Sequence, residues 1–436
     1  MAGNNVAAKD SSETYVSIIT PSYNHASYIR QTIESVLSQD YPSVEHVVVD
    51  GGSTDGTVEI LREYGERYPD RFRWVSEPDR GQSHAFNKGL AMARGEFIGW
   101  QNSDDYYYPN VFAEPIGYLI DHPNVAAVFS ERAMFDEDRG VTIKQFPGAP
   151  FSYYQLLDDD YLPNQAAFWR KDALLACGGL DESLHFAMDY DLGLRLGLLH
   201  EIVYLPGVRA AWRSLPDVKT NAGLARALAE RVQIIERTLS DPALPPGLAR
   251  HGREAIQRHL FSALVEGLYQ GDDAQAATML GKSLSYDPSF SHWSTLFSKL
   301  LLQQCMIPFW LGRDFASRAS TVPAQLLRLL HDANLGRSRY ARETASVAQF
   351  ALAIQPQGRT HLRRSLPHVL RVSTTDPARL YPIGYRLLVA HLFQGRRMYA
   401  LQLAVANARM MRGRFLSRVS HGTDHASESE GGHTAR

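Results

Sequence analysis

Two adjacent carboxylates, Asp104 and Asp105, follow the short apolar segment 96–100 after three polar residues. This segment predicts a buried strand, which places both acids at its carboxyl end, where open α/β sheets bind their ligands. Carboxylates in such a loop suit a hard divalent cation that keeps some of its waters and binds substrate phosphates. A solvated Asp-Asp turn leading to Pro109 is the plainer alternative, and the rest of the chain decides between the two.

Strand and helix patterns alternate before these acids. Runs of β-branched or apolar residues at 16–20, 46–50 and 72–75 are each followed by a polar loop and then by a helical stretch. This alternation predicts βαβ units and a mostly parallel sheet. Loops rich in Gly, Pro and polar residues follow each strand at one edge of that sheet, which indicates a nucleotide-binding domain.

Five motifs in this part of the chain together resemble glycosyltransferase family 2. They are Pro21–Asn24, Asp50–Gly56, Glu77–Ser83, Asn102–Asp105 and Met188–Asp191, and the resemblance extends over about residues 16–220. Enzymes of that family have the GT-A fold, invert the anomeric centre and use nucleotide-sugar donors. The resemblance therefore implies an α/β GT-A domain at residues 15–220, Rossmann-like with a mostly parallel sheet, which binds a nucleotide-sugar donor.

The resemblance also implies where the donor binds. The Tyr23 ring would lie against the nucleoside, and Asp50 stands where the family keeps a carboxylate for the base or ribose. Gly51 replaces a second acid that many relatives have, which leaves the identity of the base open. The residues expected to contact the donor are Pro21, Tyr23, Asn24, Asp50, Arg80, Asn87, Lys88, Asn102 and Asp104.

The loop at 79–83 precedes a predicted helix that carries Asn87 and Lys88. A helix N-terminus with Arg80 beside it is suited to a pyrophosphate, although an arginine in a solvated turn is equally consistent with the sequence. Asp79 is expected to shape the turn, and Asn87 to contact the donor sugar or ribose.

At the metal loop, the family pattern Asp-x-Asp reads Asn102-Ser103-Asp104 in this chain. The resemblance implies a divalent cation, Mg²⁺ or Mn²⁺, with Asp104 as its direct ligand and Asp105 as a further ligand or helper. Asn102 would contact the donor sugar. Loss of the first acid does not exclude a metal, because Mg²⁺ often needs only one or two carboxylates plus substrate phosphates.

Asp189 is the expected catalytic base, in the position of the second acid of a Glu-Asp pair whose first acid is replaced by Met188. Inverting transfer needs a carboxylate that takes the proton of the acceptor hydroxyl. Asp191 competes for this role, and either acid could instead cap the predicted helix. Gln165 lies in a segment that resembles the acceptor side of the family.

A second domain follows from the length, because 436 residues exceed what one core usually supports. Residues 221–420 read as an all-α domain, and the segment 264–271 is echoed at 388–395. A helix, a Gln-Gly turn and a second helix predict a partly tetratricopeptide-like domain. Residues 421–436 predict a disordered tail.

Charge is distributed unevenly, with acidic residues in excess in 1–220 and basic residues in excess in 221–436. The basic residues either solvate helices and face an acidic domain, in self-association for example, or attract an anionic membrane or a phosphate-bearing acceptor. Nucleic acid is not expected, since no aromatic platform or nucleic-acid motif accompanies the charge. The expected acceptor is a saccharide or a lipid-linked saccharide.

The predicted location is cytoplasmic, with peripheral contact at the inner membrane face as an extension. The sequence has no long apolar stretch, no signal-peptide pattern, and two cysteines without metal-ligand spacing. The expected activity is metal-assisted, inverting glycosyl transfer in polysaccharide biosynthesis. The alternative is a non-catalytic nucleotide-sugar-binding or scaffold protein, which Gly51 and Asn102 keep open.

Overall fold

The computed structural model describes residues 16–137, 140–146, 148–215, 219–241 and 244–286, together with residues 325, 326, 328 and 329. The chain divides into two units, Met1–Ser294 and Thr295–Arg436. The elements and contacts given below belong to the first unit.

One sheet organises this unit. Its strands are β1 (Val16–Ser22), β2 (Val44–Asp50), β3 (Phe72–Ser76), β4 (Phe97–Trp100), β5 (Tyr106–Tyr107), β6 (Val125–Asp136), β7 (Val141–Phe146), β8 (Ala167–Arg170) and β9 (Glu201–Ser214). The order across the sheet is β3-β2-β1-β4-β8-β6-β9-β5, and β7 pairs with β6. Strands β3, β2, β1 and β4 run parallel, as the sequence predicts.

The other half of the sheet corrects the prediction of a mostly parallel sheet. Strand β8 is antiparallel to both β4 and β6, β7 is antiparallel to β6, and β5 is antiparallel to β9. Only the pairing of β6 with β9 is parallel among the described strands of this half. The sheet is therefore mixed. The prediction was wrong for this half because it depends on a regular alternation of strands and helices, which ends after β4.

The helices are α1 (Ile29–Leu37), α2 (Thr57–Arg67), α3 (Gln82–Met92), α4 (Ala113–Asp121), α5 (Tyr153–Asp158), α6 (Lys171–Ala176), α7 (Met188–Leu199), α8 (Lys219–Leu239), α9 (Pro246–Gln270) and α10 (Asp273–Tyr286), with a 3₁₀ turn at Asn164–Ala166. Every residue of β1 and β2 is buried, which fits strands covered on both faces. Helix α1 buries Ile29, Ile33 and Val36, one helical face at i, i+4 and i+7.

A glycine lets α3 approach the sheet closely. A Cβ atom at Gly89 would lie 2.5 Å from Cγ2 of Ile19 on β1 and 3.5 Å from Cγ2 of Val49 on β2. The close approach fixes α3 over the parallel strands, so that its first turn reaches the edge where those strands end.

Three helices follow the sheet. Helix α9 ends at Gln270 and is followed by Gly271, whose φ of +78° is left-handed, and α10 begins at Asp273. This is the helix, Gln-Gly turn and helix that the first of the two similar segments predicts. The second segment, at 388–395, lies outside the described residues, as does the tail at 421–436. The domain boundary near residue 220 and the all-α domain over 221–420 stay predictions. No helix in the described ranges is long and apolar enough to cross a bilayer.

Candidate active site

The parallel strands bring their carboxyl ends to one edge of the sheet. Ser22 pairs with Asp50, and Asp50 in turn pairs with Ser76 on the next strand. On the other side of β1, Ile19 pairs with Trp100, the last residue of β4. The loops that follow these four strands are therefore neighbours in space, as the sequence predicts.

The Asp50 carboxylate is fully buried and organises the loop after β2. It accepts hydrogen bonds from the backbone N–H groups of Gly52 (3.1 Å) and Ser53 (2.9 Å). It also accepts from the hydroxyls of Ser53 (2.5 Å) and Ser76 (2.7 Å). Both of its oxygens are thus engaged within the protein, and a direct contact with the base or ribose stays a prediction.

Gly51 leaves room for a carboxylate from the neighbouring loop. A Cβ atom at Gly51 would lie 2.9 Å from Oδ2 of Asp79 and 3.3 Å from Cδ2 of Tyr23. Oδ1 of Asp79 accepts from the N–H of Gly81 (2.8 Å), so Asp79 does shape its turn. Its other oxygen and the Tyr23 ring both lie next to Gly51, and the Tyr23 side chain is 61% exposed. An acid therefore stands close to the position where many relatives carry one directly after Asp50.

Asn24 fixes the loop after β1 through hydrogen bonds to the loop after β2. Asn24 has a left-handed φ of +53°, its side-chain oxygen accepts from the N–H of Thr54 (2.9 Å), and its own N–H donates to the Ser53 hydroxyl (2.7 Å). Pro21 is buried in β1 opposite Val49. Both residues shape the loop from which Tyr23 projects.

Helix α3 presents its N-terminus at the same edge. Its N-cap is Gly81, which has no side chain to cap the first N–H groups, so this end suits an anion. The side-chain nitrogen of Gln82 donates to the Asn102 carbonyl oxygen (3.1 Å) and ties the helix to the metal loop. Lys88 forms an ion pair with Glu77.

Asn87 and Arg80 connect this helix to the loop before α7. The Asn87 amide donates to the Leu180 carbonyl (2.9 Å) and to Glu182 (3.1 Å), and its oxygen accepts from the Leu180 N–H (2.9 Å). Arg80 forms an ion pair with Glu182 and remains largely exposed. The polar atoms of the Asn87 side chain are thus hydrogen-bonded within the protein. Arg80, in contrast, is exposed next to the predicted diphosphate site.

In the metal loop, Asp105 is buried and surrounded by donors. Its carboxylate accepts from the side chains of Asn102 (3.0 Å) and Gln165 (2.9 Å) and from the backbone N–H of Arg213 (3.0 Å). Burial, and then the charge of Asp104, raises the pKa of Asp105 to about 7. These contacts fit a helper that fixes the loop better than a direct metal ligand.

Asp104 differs from its neighbour because it is only partly buried and no other described residue donates a hydrogen bond to its carboxylate. Burial raises the pKa of Asp104, while the Arg213 guanidinium acts in the opposite direction. Within the described ranges, no group of three or more His, Cys, Asp and Glu side chains could hold a metal ion. Asp104 stays the predicted ligand of a cation that phosphates of the donor would also hold.

The two acids of α7 also differ. Asp191 is 1% exposed, and its oxygens form ion pairs with Arg195 and Arg237. Asp189 is partly exposed, and one of its oxygens accepts from the Tyr190 N–H (2.9 Å). Burial, and then the charge of Asp160, raises the pKa of Asp189 to about 7, which suits a general base.

A polar chain links the two regions. Arg132 donates to the side-chain oxygen of Gln165 (3.1 Å), which in turn donates to Asp105, and the Arg132 charge opposes the rise in the pKa of Asp189. Sequence reasoning identifies Gln165 but misses Arg132 and Arg213. The 1% exposed Arg213 follows an apolar run on β9, and a charge in such a run is the signal that could have identified it.

The first half of the chain is similar to known proteins. The model of the family described as Glycosyl transferase family 2 matches residues 17–182. An uncharacterized glycosyltransferase of Mycobacterium tuberculosis is 34% identical over 194 residues, which cover 43% of this chain and 71% of that protein. A chondroitin synthase of Escherichia coli is 30% identical over 181 residues, covering 42% of this chain and 26% of the synthase.

Among solved structures, a mannosyltransferase from Pyrobaculum calidifontis, in complex with GDP-Man and Mn²⁺, is similar to this chain with a TM-score of 0.47. The two are 21% identical, and the match covers 75% of this chain and 90% of that one. The family model and the mycobacterial relative show the family. The chain belongs to glycosyltransferase family 2 and is a glycosyltransferase.

Proposed function

We propose that this enzyme transfers a sugar, with inversion, from a nucleoside-diphosphate donor to a hydroxyl of a saccharide or lipid-linked saccharide. One observation carries the proposal: Asp104 and Asp189 keep carboxylate oxygens that no described neighbour binds, whereas Asp50, Asp105 and Asp191 are engaged within the protein. Two accessible acids, one at the strand edge and one at a helix start, match the requirements of donor binding and of base catalysis.

On the donor side, the Tyr23 ring would stack on the base and Asp79 would accept a hydrogen bond from it. The N-terminus of α3 would receive the diphosphate, with Arg80 beside it. Asp104 would hold a Mg²⁺ or Mn²⁺ ion, which when bound supplies positive charge for the departing diphosphate. The parallel strands support the GT-A arrangement that we propose for this domain.

On the acceptor side, Asp189 would take the proton of the acceptor hydroxyl. The hydroxyl oxygen forms a bond to the anomeric carbon while the bond from that carbon to the diphosphate oxygen breaks, and the electron pair leaves with the diphosphate. Attack from the face opposite the leaving group inverts the centre. A positioned base contributes about 10²–10⁴ in rate.

The remaining predicted residues would act indirectly, by holding the loops that carry Tyr23, Asp104 and Asp189. Asn24 and Asp50 would hold the nucleoside loops, Asn87 the loop before α7, and Asn102 and Asp105 the metal loop. Lys88 would act at the diphosphate only if its ion pair with Glu77 opens on binding. In this proposal the direct contacts are fewer than the sequence pattern implies.

Incubation with a panel of nucleotide sugars, with and without Mn²⁺, tests the proposal through hydrolysis and transfer. We expect one donor class to be used, and activity to fall in chelator. Asp121→Asn, which removes an exposed carboxylate at the end of α4, is the matched control for variants of Asp104 and Asp189. Donor binding without hydrolysis or transfer from any donor would favour the non-catalytic alternative.

The basic half of the chain would position the enzyme. We propose that residues 221–436 attract an anionic surface, in line with their excess of Lys and Arg. Co-sedimentation with anionic vesicles should then weaken as salt rises, since exposed charges are screened within about 8 Å at physiological ionic strength. Equal binding to neutral vesicles, or none to either, would contradict attraction to an anionic surface and leave self-association or a protein partner as the role of this half.

A further inference from the structure

Helix α8 binds the backbone directly before the predicted base. The Glu230 carboxylate accepts hydrogen bonds from the N–H groups of His185 (3.0 Å), Phe186 (2.8 Å) and Ala187 (2.9 Å). These residues immediately precede α7, which starts at Met188. Ala187 is the N-cap of α7, where the N–H has no partner within the helix, and a carboxylate at a helix N-terminus is favoured by the helix dipole.

Two arginines of α8 extend this contact to α7 itself. Arg231 pairs with Asp160 (3.1 Å), and its guanidinium lies 5.2 Å from the ring centre of Tyr190. Arg237 pairs with both Asp181 (2.7 Å) and Asp191. Residues of α8 therefore contact the chain on both sides of Asp189, at Ala187 before it and at Tyr190 and Asp191 after it.

Nothing in the family resemblance accounts for this helix. The family model ends at residue 182, and α8 lies almost wholly beyond the predicted domain boundary at residue 220. The contacts nevertheless join α8 to the segment that carries the proposed base, within the same compact unit.

We propose that Glu230 is a positioning residue, which fixes the loop 185–187 so that Asp189 faces the acceptor, and that α8 is part of the catalytic unit. The proposal rests on Asp189 acting as the base. A carboxylate bound to three N–H groups sets the position of a short backbone segment, and a displacement of about 1 Å at a reacting group can lower a rate by about 10².

The test is Glu230→Gln in the full-length protein, because the amide keeps the shape but offers one acceptor oxygen in place of two. We expect kcat to fall by up to about 100-fold, with the KM for the donor and the affinity for nucleoside diphosphate unchanged. The matched control is Glu236→Gln on the same helix, which weakens the contacts with Lys282 and Tyr286 of α10. An equal loss of kcat in the control would overturn the proposal, because it would show a general effect of weakening α8.

Hydrogen exchange gives a second readout that needs no activity. The amides of 185–187 should exchange faster in Glu230→Gln than in wild type, while Glu236→Gln leaves them unchanged. Unchanged exchange, or faster exchange with an unchanged kcat, would each overturn the proposal. If the wild type transfers no sugar, the proposed function has failed, and the positioning role fails with it; the exchange comparison then still decides whether Glu230 holds the loop.

Discussion

The metal loop and the start of α7 each present two acids close in sequence, and in each pair one acid is buried and engaged while the other is accessible. The engaged acids are held differently. Asp105 accepts hydrogen bonds from two amide side chains and one backbone N–H, whereas Asp191 is paired with the cations Arg195 and Arg237. Neutral donors fix a carboxylate in place without neutralising its charge, so the two regions should respond differently to mutation and to pH.

The largest expected effect separates the acids of α7. Asp189→Asn should lower transfer by two or more decades while donor affinity is kept, because the amide cannot accept the hydroxyl proton. Single-turnover transfer and calorimetric binding of the donor measure the two quantities. Transfer at the wild-type rate would move the role to Asp191 or away from this helix.

The next effect separates the acids of the metal loop. Asp104→Ala should abolish the dependence of nucleoside diphosphate binding on Mg²⁺ or Mn²⁺ and weaken that binding strongly, because it removes the accessible carboxylate. Titration calorimetry with each ion, and in chelator, measures this. The assignment fails if the variant keeps wild-type affinity or if chelator has no effect on the wild type.

A smaller effect concerns stability. Asp191→Asn leaves Arg195 and Arg237 without their shared carboxylate, which should lower the free energy of unfolding by about 2 kcal/mol. Urea denaturation measures the change. The exposed Asp121→Asn should change it by less than about 0.5 kcal/mol, and equal effects in the two variants would contradict a structural role for Asp191.

The smallest effect depends on pH. The pKa of Asp105 is about 7 in the folded protein, above the ordinary value of about 3.9, so the folded state binds more protons than the unfolded state between these values. This acid should therefore make the free energy of unfolding decrease as pH rises from about 4 to about 7.

Asp105→Asn should reduce that slope, as measured by urea denaturation across this pH range, and an unchanged slope would contradict the assignment.

The pKa of Asp189, also about 7, predicts the opposite trend in activity: transfer should rise as pH increases through that value, because the base must be ionised.

Much of the sheet edge where β1 to β4 end can be predicted from local sequence. The strands β1 to β4 and the loops after them are indicated by β-branched runs, by Gly and Pro, and by side chains that end each run. The rest of the sheet is less predictable, because short strands such as β5 and β8 pair with partners distant in the chain. No local pattern specifies that pairing, which explains why the sequence alone predicts a mostly parallel sheet.

The sequence by itself determined which loops meet at the strand edge and which acids stand there, because parallel strands align their carboxyl ends whatever their long-range contacts. Only the tertiary structure decided which acid of each pair stays accessible. That choice depends on donors from distant segments, namely Gln165 and Arg213 for Asp105, and Arg237 for Asp191. Burial makes such pairing necessary, since an unpaired buried charge is costly, and the chain can supply the partner from any element that packs nearby.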